Sequence, residues 1–318
     1  MSKLKQRLKI TAILNVFAIG AMYGFNQMIS SAAILKNILK PNSGKYYRWK
    51  YGDLFYKKSG KGAPILLIHD LNPYSSGFEW HLIEEKLAKD HTVYTLDILG
   101  CGRSEKPGIT YTNYLYVQLI TDFINEVIGE KTDVASTGLS SSFVVMASYN
   151  NPDIINKITM INPVSLKKLT MAPNDKSKCI KTIMSIPIIG TTIYNLKSCH
   201  QNIEYVLTEN YFYNPFRIHQ KYVDAYYESA HFRFSSGRFL LSCIEGFYLN
   251  IDIKKALQNI NNEIIIIYGD KLSNEKEIVD NYSKLAKNCC IYSARDTKLL
   301  PQLETPEVIL ALMNKNTF

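Results

Sequence analysis

The hydrophobic pattern after residue 50 alternates between continuous apolar runs and segments with helical spacing. The run Ala63–His69 is typical of a strand buried on both faces, and Ile155–Ile161 and Glu263–Tyr268 also predict strands. Glu79–Lys89 and Thr112–Ile128 have the spacing of helices. Such an alternation predicts an α/β fold, with a mainly parallel sheet and helices on both faces.

The alternation stops between residues 165 and 255, where the chain is helix-like and rich in aromatic residues. This segment predicts an inserted helical lid over the carboxyl ends of the strands, where such sheets bind ligands. Its aromatic residues either line an apolar pocket or pack ordinarily; they are Tyr211, Phe212, Tyr213, Tyr226 and Tyr227. The predicted organisation is a basic flank (1–9), a membrane segment (10–35), a core in two parts (46–164 and 256–318) and the lid (165–255).

The basic excess of the chain is confined to its first 50 residues. The net charge is +9, and residues 1–50 hold nine Lys or Arg and no Asp or Glu, which leaves 28 basic and 28 acidic residues in the remainder. Because this excess flanks the uncharged segment from Ile10 to Leu35, it indicates a membrane and not a nucleic acid as the partner.

Three interpretations of residues 10–35 remain open. They are an uncleaved single-pass anchor, a signal peptide cleaved near Ser30-Ser31-Ala32, or a helix that lies on a membrane surface or packs on the protein. Four basic residues precede the segment and five follow it, so the charge bias hardly orients it. We adopt the anchor, with the N-terminus inside and the body outside.

The cysteine pattern and the glycine-rich stretches give no sign of a metal or cofactor. The six cysteines have neither zinc-ligand spacing nor the spacing of a disulfide framework. Gly100-Cys101-Gly102 lies in the wrong context for a dinucleotide site. We therefore expect no metal, nucleotide or flavin.

Residues 132–148 predict a strand, a sharp turn and a helix. Gly138-Leu-Ser-Ser-Ser142 fits the G-x-S-x-G pattern of a nucleophile elbow, with Ser142 in place of the last glycine. The turn requires small residues on either side of its centre, and Gly138 and Ser142 provide them. The pattern predicts that the Ser140 hydroxyl projects from the top of the sheet.

Four segments together resemble the α/β-hydrolase family, in particular lid-bearing serine hydrolases of the esterase and proline iminopeptidase type. The similarity covers roughly Tyr46 to the C-terminus, and the segments come in the family's order. They are Ile65-Leu-Leu-Ile-His-Asp-Leu-Asn-Pro73, Leu96-Asp-Ile-Leu-Gly-Cys-Gly-Arg-Ser-Glu-Lys-Pro107, Gly138–Ser142 and Leu300-Pro-Gln-Leu-Glu-Thr-Pro-Glu-Val308.

The resemblance implies a mechanism. Ser140 would attack the carbonyl of an ester or amide and form an acyl-enzyme. The backbone N–H groups of Leu71 and Ser141 would hold the oxyanion. Asp70 stands where the family has glycine, which places a negative charge beside that oxyanion.

The positions that match the family's histidine and acid are Leu299 and Leu272. Asp270 is the candidate acid, with Glu275 as a second substitute, and no histidine follows His231. Loss of a triad member costs roughly 10⁴-fold in rate. His231 and Lys298 are candidate bases, although packing and solvated roles are commoner for such residues.

Three functions follow from these residues. The first is a membrane-anchored serine hydrolase acting on a small-molecule substrate through Ser140. The second is an impaired pseudo-hydrolase that binds an apolar ligand or a partner, because Leu299 and Leu272 are apolar. The third, with little support, is a structural module whose function is the anchor.

Overall fold

The computed structural model describes residues 3–40, 44–273 and 275–314. The strands are β1 Gly44–Trp49, β2 Gly52–Ser59, β3 Ala63–Ile68, β4 His91–Leu96, β5 Thr132–Thr137, β6 Ile155–Ile161, β7 Glu263–Gly269 and β8 Cys289–Ala294. The helices are α1 Lys3–Ala33, α2 His81–Leu87, α3 Asn113–Phe123, α4 Ser140–Asn150, α5 Leu166–Leu169, α6 Asp175–Ser185, α7 Ile189–Lys197, α8 His200–Val206, α9 Gln220–Ser235, α10 Gly237–Glu245, α11 Lys254–Asn259, α12 Glu275–Leu285, α13 Pro301–Glu304 and α14 Pro306–Met313.

The strands form one mixed sheet in the order β1-β2-β4-β3-β5-β6-β7-β8. β1 pairs antiparallel with β2, β2 pairs antiparallel with β4, and the other neighbouring strands are parallel. The predicted mainly parallel α/β sheet is therefore confirmed. β1 was not predicted, because Lys45-Tyr-Tyr-Arg-Trp49 has no clear alternation of apolar and polar residues.

Both faces of the central strand β3 are buried, which explains its continuous apolar sequence. In β3, Leu66 and Ile68 join the larger apolar cluster, with residues of α3 and α4. Ile65 and Leu67 join the cluster on the opposite face, with residues of α2 and α14. Successive side chains of a strand point to opposite faces, so only a run without polar interruption satisfies both layers.

Helices α5 to α11 form an insertion between β6 and β7. The insertion contacts the carboxyl ends of the strands through two tyrosines. The Tyr211 carbonyl accepts the backbone N–H groups of Leu299 and Leu300, at 3.0 and 3.3 Å, and the Tyr226 hydroxyl donates to Glu79 at 2.8 Å. The predicted limits of the core and lid remain predictions.

Helix α1 has an exposed apolar part followed by a part that packs on the insertion. Residues 5–25 are exposed, with Phe17 at 76%, whereas Asn26 and Ser30 are buried. Asn26 Nδ2 donates to Thr192 Oγ1 at 3.0 Å, and the Ser30 and Ser235 hydroxyls lie 3.0 Å apart. Within the described residues, Lys5–Ala33 is the one helix that by itself is long and apolar enough to cross a membrane.

The segment after α1 is held by a buried carboxylate. Glu228 Oε2 accepts the backbone N–H groups of Ile38 and Leu39 at 2.5 and 3.3 Å, and Oε1 lies 3.2 Å from Arg103 Nη2. Arg103 also donates to Asn37 Oδ1 at 3.0 Å. These bonds join the segment after α1, the insertion and the core.

Candidate active site

The sharp turn between β5 and α4 is centred on Gly138. β5 ends at Thr137 and α4 begins at Ser140, so Gly138 and Leu139 make the turn. Gly138 has φ +55°, a left-handed conformation that glycine adopts without strain. The elbow is therefore Ser136–Ser140, two residues earlier than predicted, with a small residue at each end and glycine at its centre.

Ser140 does not project from this turn. It lies in the first turn of α4, is fully buried, and its hydroxyl donates to the His69 carbonyl at 2.7 Å. The prediction that the Ser140 hydroxyl projects from the top of the sheet is wrong. The turn is centred earlier than the G-x-S-x-G pattern suggested, so that Ser140 already belongs to the helix. Ser141 is also buried, and its hydroxyl lies 3.1 Å from that of Ser136.

Two backbone N–H groups converge at the elbow, from Leu71 and Leu139. Both donate to the same atom, Asp70 Oδ1, at 2.8 Å. An oxyanion hole pairs the N–H group after the nucleophile position with one from the loop after the strand that precedes the first helix. Leu139 follows Gly138, so its N–H group, and not that of Ser141, is the geometric partner of Leu71.

The Asp70 carboxylate occupies the space of a nucleophile side chain at the elbow. A Cβ atom at Gly138 would lie 2.1 Å from Asp70 Oδ1 and 2.3 Å from its Cγ. Real Cβ atoms essentially never make contacts under 3.0 Å. A side chain at position 138 would therefore require the Asp70 carboxylate to move away from the two N–H groups.

Little empty space remains between the elbow and the insertion. The cavity there is about 20 Å³. Its lining residues are Asp70, Ser75, Glu79, Thr137, Gly138, Asn162, Tyr211, Leu299 and Leu300. It has room for about one water molecule, whereas pockets for small ligands measure roughly 300–1,000 Å³.

Two buried carboxyl groups line this cavity. Burial raises the pKa of Asp70, and the N–H groups of Leu139 and Leu71 partly oppose that rise. Burial also raises the pKa of Glu79 to about 8; the Asp70 charge adds to the rise, and bonds from Ser75 and Tyr226 offset part of it. Glu79 is therefore mostly protonated at neutral pH, whereas a glutamate in water is ionised at this pH.

The histidine and acid positions contain no proton-transfer pair. Leu299 lines the cavity with an apolar side chain. Asp270 Oδ1 accepts the backbone N–H of Asp296 at 2.8 Å, and Lys271 lies 3.5 Å from Asp270 and 3.3 Å from Asp296. Asp270 thus joins the ends of β7 and β8 and is not bonded to a histidine. The side chain of Glu275 lies outside the described residues.

The other candidate bases are bonded elsewhere. His231 is buried in α9, where its Nδ1 lies 2.9 Å from the Tyr227 carbonyl, and burial lowers its pKa to about 4. Lys298 Nζ donates to the Glu209 carbonyl at 2.5 Å.

His69 is a structural residue. The Ile98 N–H donates to its Nε2 at 3.2 Å, which leaves the proton on Nδ1 to be donated to the Asp70 carbonyl at 2.7 Å. Burial lowers its pKa, so the ring is neutral. His69 therefore fixes the main chain that carries the Asp70 side chain.

Asn162 is a site residue that the sequence did not reveal. Its Oδ1 accepts the Gly269 N–H at 2.9 Å, and its Nδ2 donates to the carbonyls of Lys298 and Leu299 at 2.9 and 3.0 Å. It follows β6 directly and has φ +47°. One amide thus holds the ends of β6 and β7 and the loop that carries Leu299.

The true centre of the elbow had a weak signal in the sequence. Ser136-Thr-Gly-Leu-Ser140 also has small residues at both ends, but a glycine at the nucleophile position conceals the motif. Glu79 and Tyr226 had no such signal, because they are far apart in the chain and meet only through the insertion.

Comparisons with known proteins agree with this architecture. No family model matches the chain. The 2-hydroxy-6-oxo-6-(2'-aminophenyl)hexa-2,4-dienoic acid hydrolase of Metapseudomonas resinovorans is 26% identical over 114 residues, which is 35% of this chain and 39% of that protein. The chain spans only about a third of the length of the curated relatives it matches.

Solved structures match over most of the chain. A meta-cleavage product hydrolase from Pseudomonas fluorescens has a TM-score of 0.68 at 15% identity, covering 85% of this chain and 96% of its own. A membrane phospholipase A has the same TM-score and identity, and the match covers 98% of both chains. The second match therefore includes α1.

Proposed function

Since the chain has the α/β-hydrolase fold, we propose that it is a membrane-anchored pseudo-hydrolase, which keeps the hydrolase scaffold without its chemistry and acts by binding a partner. The observation that carries this proposal is the Asp70 carboxylate on the N–H groups of Leu71 and Leu139. An oxyanion hole stabilises negative charge that develops in the transition state. Here a side chain of the protein itself takes both donors.

Three further features support the loss of hydrolysis. The elbow centre is Gly138, which has no nucleophilic atom. Leu299 offers no base, and without a base a serine hydroxyl is a weak nucleophile. The Ser140 hydroxyl is buried against a backbone carbonyl and would have to break that bond to react.

The size of the cavity favours a partner over an enclosed apolar ligand. A volume of about 20 Å³ is far below that of a ligand pocket. Residues Tyr211, Leu299 and Leu300 close it from above through backbone hydrogen bonds. Binding would then take place at the surface of the body, beside the membrane.

The exposed apolar part of α1 supports the membrane anchor. Its large side chains Ile13, Val16 and Phe17 are 68–76% exposed, which is unfavourable in water. The structural similarity to a membrane phospholipase A extends over α1. An anchor in the bilayer would cover these side chains.

A fluorophosphonate probe and p-nitrophenyl esters test the loss of hydrolysis. For the full-length protein in detergent we expect no covalent labelling of Ser140, and ester turnover that is the same in wild type and Ser140→Ala. Ser142→Ala is the matched control, because it removes a buried hydroxyl of the same helix that donates to the Leu139 carbonyl. Labelling or turnover lost in Ser140→Ala but kept in Ser142→Ala would establish the serine hydrolase instead.

A further inference from the structure

Four consecutive apolar residues lie at the bend between α6 and α7: Ile186, Pro187, Ile188 and Ile189. Ile186 is 41% exposed and Ile189 46%, and Pro187 is also exposed. A run of exposed apolar residues is unfavourable in water unless it has a binding role. We infer that this bend enters the surface of an anionic bilayer beside the anchor; the inference rests on the proposed anchoring by α1.

The bend lies where α1 reaches the insertion. Asn26 is the first buried residue after the exposed apolar part of α1, and its Nδ2 donates to the Ile188 carbonyl at 3.2 Å. Asn195 Nδ2 donates to Asn26 Oδ1 at 2.8 Å. The apolar run is therefore continuous with the surface that α1 would place in the membrane.

The length of α1 places the bend at the bilayer surface. The uncharged part from Ile10 to Phe25 rises about 24 Å as a helix, whereas the hydrocarbon core is about 30 Å thick. Around an apolar segment that is shorter than the hydrocarbon core the bilayer thins, and the residues that flank the segment then lie closer to the hydrocarbon. Asn26 then lies near the boundary, and Ile186 and Ile189 lie with it in the interface.

The segment that contains the bend has an excess of basic residues, which favours anionic headgroups. Residues 165–200 contain six lysines and one acidic residue, although the chain after residue 50 is neutral as a whole. The lysines are Lys167, Lys168, Lys176, Lys178, Lys181 and Lys197. Lys178 is paired with Asp175 and Lys197 with Glu245, so the excess comes chiefly from the other four. Basic residues close to an anionic membrane are attracted to its surface.

Tryptophan quenching by brominated lipids tests the inference on the full-length protein. Three variants, Ile186→Trp, Phe17→Trp and Lys131→Trp, are reconstituted into bilayers of brominated phosphatidylcholine and phosphatidylglycerol. Phe17 reports the anchor, and Lys131 is exposed just before β5, at the end of the sheet away from the insertion. The native Trp49 and Trp80 are buried and give all variants the same background.

We expect the added tryptophan at position 186 to be quenched and blue-shifted, as at position 17, whereas the one at position 131 emits as in water without quenching. Replacing phosphatidylglycerol by phosphatidylcholine should weaken quenching at position 186 only, and equal quenching would overturn the role of the lysines. A water-like, unquenched signal at 186 with quenching at 17 would overturn the inference and leave the anchor intact. Absence of quenching at 17 would refute the anchor, and the inference with it.

Discussion

Gly138→Ser should lower the free energy of unfolding by about 3 kcal/mol or more, although it restores the residue that a hydrolase needs at the elbow. The new Cβ would lie 2.1 Å from Asp70 Oδ1, and a left-handed φ of +55° is strained for serine. The close contact and the backbone strain both destabilise the folded state. Urea unfolding in non-ionic detergent measures the loss.

Gly129→Ser separates the backbone strain from the contact with Asp70. Gly129 also has a left-handed φ, +77°, but a Cβ there would meet no atom within 4 Å. This control should therefore cost only about 1 kcal/mol, which is the backbone term. Equal losses at positions 129 and 138 would refute the competition between Asp70 and a side chain at the elbow.

A double-mutant cycle with Asp70→Ala measures the competition directly. Alone, Asp70→Ala removes the acceptor of two buried N–H groups and should cost about 2 kcal/mol. It also removes the atoms that block position 138. The double variant should therefore be more stable than the sum of the single losses by about 1–3 kcal/mol, whereas additive losses would contradict the structure.

The sheet could be predicted from the sequence because its strands are buried on both faces. The uninterrupted isoleucines after Glu263 have few alternatives, and the observed β7 begins at the predicted residue. β1 lies at the edge of the sheet, and Tyr46 remains 52% exposed. Its residues therefore lack the apolar continuity by which β7 was recognised.

The site could be predicted only in part, because its geometry depends on contacts between distant segments. The turn is centred on Gly138 and not on Ser140, two residues earlier than predicted, and the ends of strands and helices are the least determined feature of a sequence. The sequence places Asp70 beside the oxyanion hole. Its orientation depends on the Leu139 N–H group, which belongs to a turn 69 residues away.

The same limit applies to the insertion. Tyr226 was expected either to line a pocket or to pack. Neither role alone describes it, because its hydroxyl also makes a specific hydrogen bond. Its hydroxyl donates to Glu79, and the insertion thereby closes over a carboxyl group of the core. The composition of the segment indicated helices and aromatic residues, but the identity of their polar partners depends on the tertiary fold.

Glu79→Gln should remove a large pH dependence from the stability of the protein. The unfolded chain releases the Glu79 proton near pH 4.5, whereas the folded protein holds it until about pH 8. Between these values the folded state binds more protons, so the free energy of unfolding falls as pH rises. The full loss attributable to Glu79 is about 5 kcal/mol, because the folded and unfolded pKa values differ by about 3.5 and each pKa unit corresponds to about 1.4 kcal/mol.

Glutamine keeps an oxygen that accepts the Tyr226 hydroxyl but does not ionise, so the variant should gain on wild type progressively from pH 5 to pH 8. Urea unfolding, followed by the fluorescence of the buried Trp80, measures the difference at each pH. Taking this difference cancels the titration of groups that do not interact with Glu79, such as His231. Glu85→Gln on α2 is the control: Glu85 is exposed, so this variant should follow wild type across the range. A constant difference between Glu79→Gln and wild type would mean that Glu79 is already ionised near pH 5, and that the insertion closes over a charge instead of a neutral acid.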